Sequence, residues 1–340
     1  MKNFLNPFLR SWTDRVLVGS ALIILLSACE CGRFTARSKI DLTRQKWCGN
    51  ALCYSGYRQG QSPQTGVYPT QAEILEDMRI LEKHWRMIRT YGSDRHSEDI
   101  LEVLHREKMP IKVMLGAWLN GKPGYEGENE AQIRNCIRLA NRFPDVVAAV
   151  SMGNEILVSW SDHKMPLNMT IETVHRVRDS VAVRVTVDDD FTFWRKKDGV
   201  ELAKHLDFVS LHTYPMWGGS DIDSAMFFTK QHVESVRRVL PGKTLVIGEA
   251  GWATYTEGSL HAPRAGDEAK QMRYFKELTS WAQKNNINVF FFEAFDEPWK
   301  GTGTEGHWGL FSVDRKAKLA MRDWYPELIP TGPTSPTYTP

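Results

Sequence analysis

Apolar residues in this chain follow two alternating patterns. Nearly continuous apolar runs, rich in Val, Ile, Leu and Phe, predict strands at 47–58, 87–92, 111–119, 146–155, 183–189, 208–215, 244–252 and 288–296. Between them the spacing turns helical. Ile74, Leu75, Met78, Leu81 and Trp85 share one face, Ile133, Cys136, Ile137 and Ala140 a second, and Met272, Phe275, Leu278 and Trp281 a third. Ser97 followed by Glu98 and Asp99 reads as a helix start, with acids where the helix dipole favours them.

Strands that are apolar throughout are buried on both faces, which is the mark of a parallel sheet covered by helices. Eight such strand–helix units predict an α/β fold, a single-domain (β/α)8 TIM barrel over 46–328. The alternative, an open doubly wound sheet, lacks the glycine-rich phosphate loop after its first strand. The proline- and threonine-rich stretch 329–340 reads as a disordered tail.

The N-terminus follows neither pattern. Lys2, Arg10 and Arg15 precede an apolar stretch at 16–26, too short to span a bilayer and suited to a signal peptide. The run Leu26-Ser-Ala-Cys29 resembles a lipobox. Cleavage there makes Cys29 the lipidated first residue of the mature chain, with 30–45 as linker; an ordinary signal peptide cut near the same place is the alternative. Both readings export the protein to the periplasm, the outer membrane or the medium, with contact to membrane only through the lipid anchor. An oxidising compartment permits a Cys48–Cys53 bridge, but two cysteines on one strand are poorly placed for it. Cys136 reads as a core thiol.

With 43 Lys+Arg against 41 Asp+Glu and no long basic run, the chain offers no electrostatic footprint for nucleic acid. No metal-binding H-E-x-x-H or C-x-x-C occurs, so neither metal nor cofactor is expected. The chain is expected to act as a monomer.

Two of the apolar runs end on a carboxylate. One reads Val147-Val-Ala-Ala-Val-Ser-Met-Gly-Asn154-Glu155, the other Thr244-Leu-Val-Ile-Gly-Glu249-Ala-Gly-Trp252. In a barrel the C-terminal strand ends form the active face, so strands four and seven bring Glu155 and Glu249 together. A carboxyl pair at such a face suits cleavage of a glycosidic bond, with a separation of roughly 5–5.5 Å if the reaction is retaining. Glu155 is then the acid/base and Glu249 the nucleophile, with Asn154 placed to bond a sugar hydroxyl. Other polar and aromatic groups gather at the same ends: Arg89 and Tyr91, His212, Tyr214 and Trp217, and Glu293, Glu297, Trp299 and Lys300. A third acid at strand eight serves to orient the nucleophile, to bind hydroxyls or simply to pair with Lys300. The triplet Asp188-Asp-Asp190 reads either as a solvated loop or as a subsite for hydroxyls.

Twelve tryptophans are many for 340 residues. Trp118, Trp160, Trp194, Trp217, Trp252, Trp299 and Trp308 fall at or just past strand ends, whereas Trp85 and Trp281 fall on helix faces and read as core. Flat indoles on the active face suit the C–H surfaces of sugar rings.

These segments resemble glycoside hydrolase family 17, the β-1,3-glucanase family, as an exported bacterial member. The resemblance runs from about Cys48 to Phe311. It is carried by Gly153-Asn154-Glu155, by Ile247-Gly-Glu249-Ala-Gly-Trp252, by Arg89-Thr-Tyr91, by Phe295-Asp-Glu297 with Lys300, and by Glu305-Gly-His-Trp308-Gly-Leu-Phe311. Ala253 stands where the family usually has proline, a local departure away from the reacting groups. The resemblance implies a retaining hydrolase of β-1,3-linked glucan. The family also contains transglycosylases built on the same carboxylates. A glycan-binding lipoprotein without catalysis, and a relative acting on β-1,4-glucan or mannan, are the rival readings.

Overall fold

The computed structural model describes residues 50–257 and 265–330. The leader with Cys29, the linker, Cys48 and residues 331–340 lie outside the described residues. The eight apolar runs become β1 (Asn50–Cys53), β2 (Trp85–Arg89), β3 (Lys112–Ala117), β4 (Val147–Asn154), β5 (Arg184–Asp190), β6 (Val209–His212), β7 (Leu245–Ala250) and β8 (Val289–Phe291). All pair in parallel in sequence order, and β8 returns to β1 to close the barrel. The fold is the expected (β/α)8 barrel.

Eight α-helices occur among the described residues: α1 (Gln71–Leu81), α2 (Arg95–Arg106), α3 (Glu126–Arg142), α4 (Leu167–Arg178), α5 (Phe191–Trp194), α6 (Lys197–Ala203), α7 (Ile222–Val239) and α8 (Glu268–Lys284). Their starts are chemically marked. Thr70 and Glu73 form a reciprocal capping box on α1, and Asp94, Asp221 and Asp267 each accept a backbone N–H at the head of α2, α7 and α8. The cap of α2 is therefore Asp94, three residues before the expected Ser97, whose N–H it accepts at 3.1 Å. Trp85 is buried as expected, but it opens β2 instead of closing a helix. Cys136 is a buried thiol on α3. Cys53 is a free thiol inside the barrel, its Sγ 3.4 Å from the Gly248 carbonyl.

Both strands that carry the paired carboxylates are irregular just before the acid. Between Ser151 and Asn154, β4 gains one residue relative to β5; around Gly248, β7 gains one relative to both β6 and β8. Such bulges re-aim side chains at barrel rims. In β7 the extra turn needs a glycine. A Cβ on Gly248 would lie 2.2 Å from an Asp188 carboxylate oxygen and 2.3 Å from Ser210 Oγ. In β4 the turn runs through Gly153 at φ +102° and then Glu155 at φ +50°. A non-glycine residue held in that left-handed region costs about 1–2 kcal/mol.

Candidate active site

At the C-terminal mouth of the barrel, Arg89 is the hub. Its guanidinium is buried and makes three contacts: Nε to Asp188 Oδ2 at 2.9 Å, Nη2 to Asn154 Oδ1 at 2.6 Å, and Nη1 to Glu249 Oε1. The ring of Tyr91 lies 4.6 Å from the same guanidinium. Four strands, β2, β4, β5 and β7, are thus tied at their active-face ends by one side chain. Asp188 holds Arg89, and burial alone would raise its carboxyl. The charge of Arg89, with His212, outweighs that and keeps Asp188 well below the ordinary carboxylate range.

Glu249 is buried, with both oxygens engaged: Arg89 holds Oε1, and Tyr214 donates to Oε2 at 2.7 Å. Burial pushes its carboxyl up, but His212, Arg89 and the Tyr214 hydroxyl overcome that and hold it below its usual value. Glu155 is different. Its side chain is 28 % exposed, and His212 Nδ1 donates to Oε1 at 2.9 Å. His212 itself is fully enclosed. Burial opposes its charge, but Glu249, Asp188 and Glu155 raise its pKa to about 10, so an imidazolium sits between the two glutamates. One oxygen of Glu155, one of Glu249 and a ring nitrogen of His212 lie within 4.8 Å of one another. That trio has the spacing of metal ligands. Ligation needs a neutral imidazole, and the surrounding carboxylates favour the charged one.

The strand-eight groups form their own cluster. Lys300 pairs with Glu297 and lies 3.7 Å from Glu293, while Trp299 Nε1 donates to Glu297 at 3.1 Å. Burial and the charge of Glu297 push Glu293 well above the ordinary range; Lys300 keeps Glu297 below it against burial. Lys300 has both acids as partners, as a charge partner was expected to.

The tryptophans divide. Trp118, Trp160 and Trp217 are 43 %, 59 % and 42 % exposed, and Trp299 is half-buried. Trp118 stacks on His163 with ring centres 4.9 Å apart, and His163 Nε2 lies 2.9 Å from the Asn154 carbonyl. Trp252 and Trp194 do not line the mouth, contrary to expectation. Trp252 is fully buried, bonds the Ala265 carbonyl and packs on Tyr274; Trp194 is fully buried and donates to the Asp189 and Ser210 carbonyls. Trp308 is also closed off, its ring set edge-on to Tyr214 and 5.7 Å from Trp217. It backs the residues that face the cleft.

The Asp188–Asp190 triplet is neither a solvated loop nor a row of hydroxyl ligands. Asp188 and Asp189 are fully buried on β5, and Asp190 accepts from Thr192 N at 2.8 Å at the head of α5. The sequence reading also missed His163, a lone histidine with no motif around it. Burial pushes Asp189 up to about 8, against the backbone N–H groups of Leu157 and Asp190 that bond it.

Comparison with known proteins points to a family of glycoside hydrolases. A model of the BtgE/BtgC glycoside hydrolase domain matches residues 51–309. The glucan 1,3-beta-glucosidase of Schizosaccharomyces pombe is 27 % identical over 265 residues, 73 % of this chain and 80 % of that protein. That of Arthroderma benhamiae is 26 % identical over 286 residues, 78 % and 89 %. The crystal structure of an endo-laminarinase from Formosa Hel1_33_131 is 28 % identical, with a TM-score of 0.75 over 83 % of this chain and 87 % of that one.

Proposed function

The chain belongs to the BtgE/BtgC glycoside hydrolase family, and from that membership we propose a retaining β-1,3-glucan hydrolase of the glycoside hydrolase family 17 type. The observation that carries the reading is the approach of Glu155 and Glu249, one oxygen of each within 4.8 Å. Retaining enzymes keep their carboxyls roughly 5–5.5 Å apart, whereas inverting ones need roughly 6.5–9.5 Å to admit water. The glucan specificity is supported by the relatives' activities.

Glu249 is the nucleophile in this reading, because its surroundings keep it ionised. Its oxygen attacks the anomeric carbon as the bond to the leaving sugar oxygen breaks, and Glu155 gives that oxygen a proton. Glu155, now ionised, takes a proton from water, whose oxygen displaces Glu249 from the anomeric carbon. Arg89 and Tyr214 fix the attacking carboxylate and receive its charge back when the ester breaks. Asn154, held by Arg89, binds a hydroxyl of the reacting sugar; Tyr91 and the Glu297–Lys300 pair line the same end. Trp118, Trp217 and Trp299 offer ring faces to neighbouring sugars. Export by the N-terminal leader, with lipidation at Cys29, completes the proposal. It is supported by the charged start, the apolar run and the lipobox-like residues.

The test is product analysis by chromatography and mass after incubation with linear β-1,3-gluco-oligosaccharides, beside Glu249→Gln. Shorter products only, absent in the variant, are expected. Products longer than the substrate would make the chain a transglycosylase using the same site, and no products would overturn catalysis on this linkage.

A further inference from the structure

The peptide segment around Glu155 is held from every side. Glu155 N donates to the Asp188 carbonyl at 2.9 Å, the Asn154 carbonyl bonds His163, and the Ile156 carbonyl accepts from Met165 N at 2.7 Å. The last tie is a side chain. Asp189 Oδ2 accepts from Leu157 N at 2.8 Å, two residues past the acid, while Oδ1 accepts from Asp190 N at 2.8 Å. The Asp189 carbonyl in turn accepts from the Trp194 indole at 3.0 Å. Asp189 is fully buried and touches neither Glu249 nor Arg89 in any hydrogen bond or ion pair described above.

We propose that Asp189 is a positioning residue for the acid/base: it clamps the segment after β4 so that Glu155, in its left-handed backbone conformation, points at the glycosidic oxygen. The proposal rests on the assignment of Glu155 made above. The logic is one of geometry. A left-handed residue relaxes unless its neighbours hold it, and the neighbours on the N-terminal side are already fixed by β4. On the C-terminal side the backbone is held at Leu157 N and the Ile156 carbonyl, with the Ile156 side chain buried in the core, and Asp189 supplies the first of these bonds from a strand paired on both sides. A carboxyl group, ionised or protonated, keeps a lone pair on each oxygen and can accept both N–H bonds at once. An asparagine has one oxygen and one NH2, so one of the two backbone N–H groups would face another donor. Proton donation demands that the acid sit within hydrogen-bond reach of the leaving oxygen, whereas attack by Glu249 does not depend on that segment.

Leaving-group chemistry separates the two. A dinitrophenyl β-laminaribioside expels its leaving group without a proton, whereas a β-1,3-gluco-oligosaccharide needs one. Asp189→Asn and Asp189→Ser are compared with Glu155→Gln and wild type on both substrates, with the first step on the aryl substrate read as the dinitrophenolate burst. Both Asp189 variants are expected to lose kcat on the oligosaccharide on the order of 10²-fold, as a displaced catalytic group does. Their burst rate on the aryl substrate should stay at the wild-type value, while KM for that substrate falls, because a displaced Glu155 also activates water poorly and the glycosyl-enzyme accumulates. Equal losses on both substrates would reduce Asp189 to a structural residue and overturn the proposal, as would failure of both variants to fold. If Glu155→Gln itself shows no such split, the acid assignment fails and this inference with it. If Glu155→Gln splits and the Asp189 variants do not, the positioning role alone falls.

Discussion

Glu249 and Glu155 leave strands of one barrel, share His212 as a neighbour and come within 4.8 Å, yet they occupy opposite kinds of site. Glu249 is enclosed, with a cation on one oxygen and a phenol on the other. Glu155 is more than a quarter exposed, with one strong partner and a rotated backbone. The difference teaches how a barrel gives two identical side chains different tasks. In the proposed mechanism, fixed positive charge holds the buried carboxyl low for attack, and the partly exposed one meets the leaving oxygen and water. The bulges before each acid are what turn the two glutamates into these different settings.

The comparison breaks first at Glu249. Glu249→Gln should lower kcat on glucan on the order of 10⁴-fold or more, because an amide cannot replace the attacking carboxylate. A loss confined to KM would contradict the nucleophile role. Glu155→Gln should cost about 10²–10⁴-fold on the same substrate, the range of general acid–base catalysis. Its loss should shrink on a dinitrophenyl glycoside, where Glu249→Gln stays inactive.

The next contrast concerns the charges themselves. Arg89→Met leaves Asp188 and Glu249 buried without their shared cation, which should cost about 3–5 kcal/mol of stability in denaturant unfolding. Arg89 helps hold Glu249 low, so the acidic limb of any residual kcat/KM profile should move to higher pH. An acidic limb that stays in place would mean that His212 and Tyr214 suffice. His212 supplies the opposite sign of linkage. Its folded pKa, about 10, lies above the value of about 6.5 for an unfolded histidine. The stability it contributes is therefore complete below about pH 6.5 and is lost as pH rises through 10. The melting temperature of wild type relative to His212→Gln should narrow across that interval, and a constant difference would refute the charged imidazole.

The smallest effects separate the tryptophans. Trp118→Ala should raise KM for oligosaccharides several-fold, a loss of about 1 kcal/mol of sugar–indole stacking, and leave the melting temperature alone. Trp252→Phe should lower the melting temperature and leave KM alone, since its indole bonds the Ala265 carbonyl inside the wall.

The barrel was readable because its strands are buried on both faces and so appear as apolar runs, and because the helices between them keep a 3.6-residue stripe. Glu155, Glu249, Arg89 and Tyr214 were readable from their place at strand ends. What did not show was anything that depends on a shift of register. The extra residues in β4 and β7 decide which way Asn154 and Glu249 point, and no side-chain pattern announces them. Trp252 likewise looked like a cleft residue because it follows Glu249 by three positions, but its indole is buried against Tyr274 of α8 and bonds the Ala265 carbonyl. The Asp188–Asp190 triplet misled in the other direction. Three acids in a row suggest solvent, and it is the guanidinium of Arg89, ninety-nine positions away, with His212, that lets Asp188 be buried.

The most direct measurement of the account is to trap the intermediate. Protein is incubated with a 2-deoxy-2-fluoro-laminaribiosyl substrate carrying a dinitrophenyl group, digested, and the peptides are read by mass spectrometry. The account predicts one glycosyl adduct, on the peptide containing Glu249, with products from the unmodified substrate keeping the β configuration. An adduct on Glu155, or inverted products with no adduct at all, would contradict it.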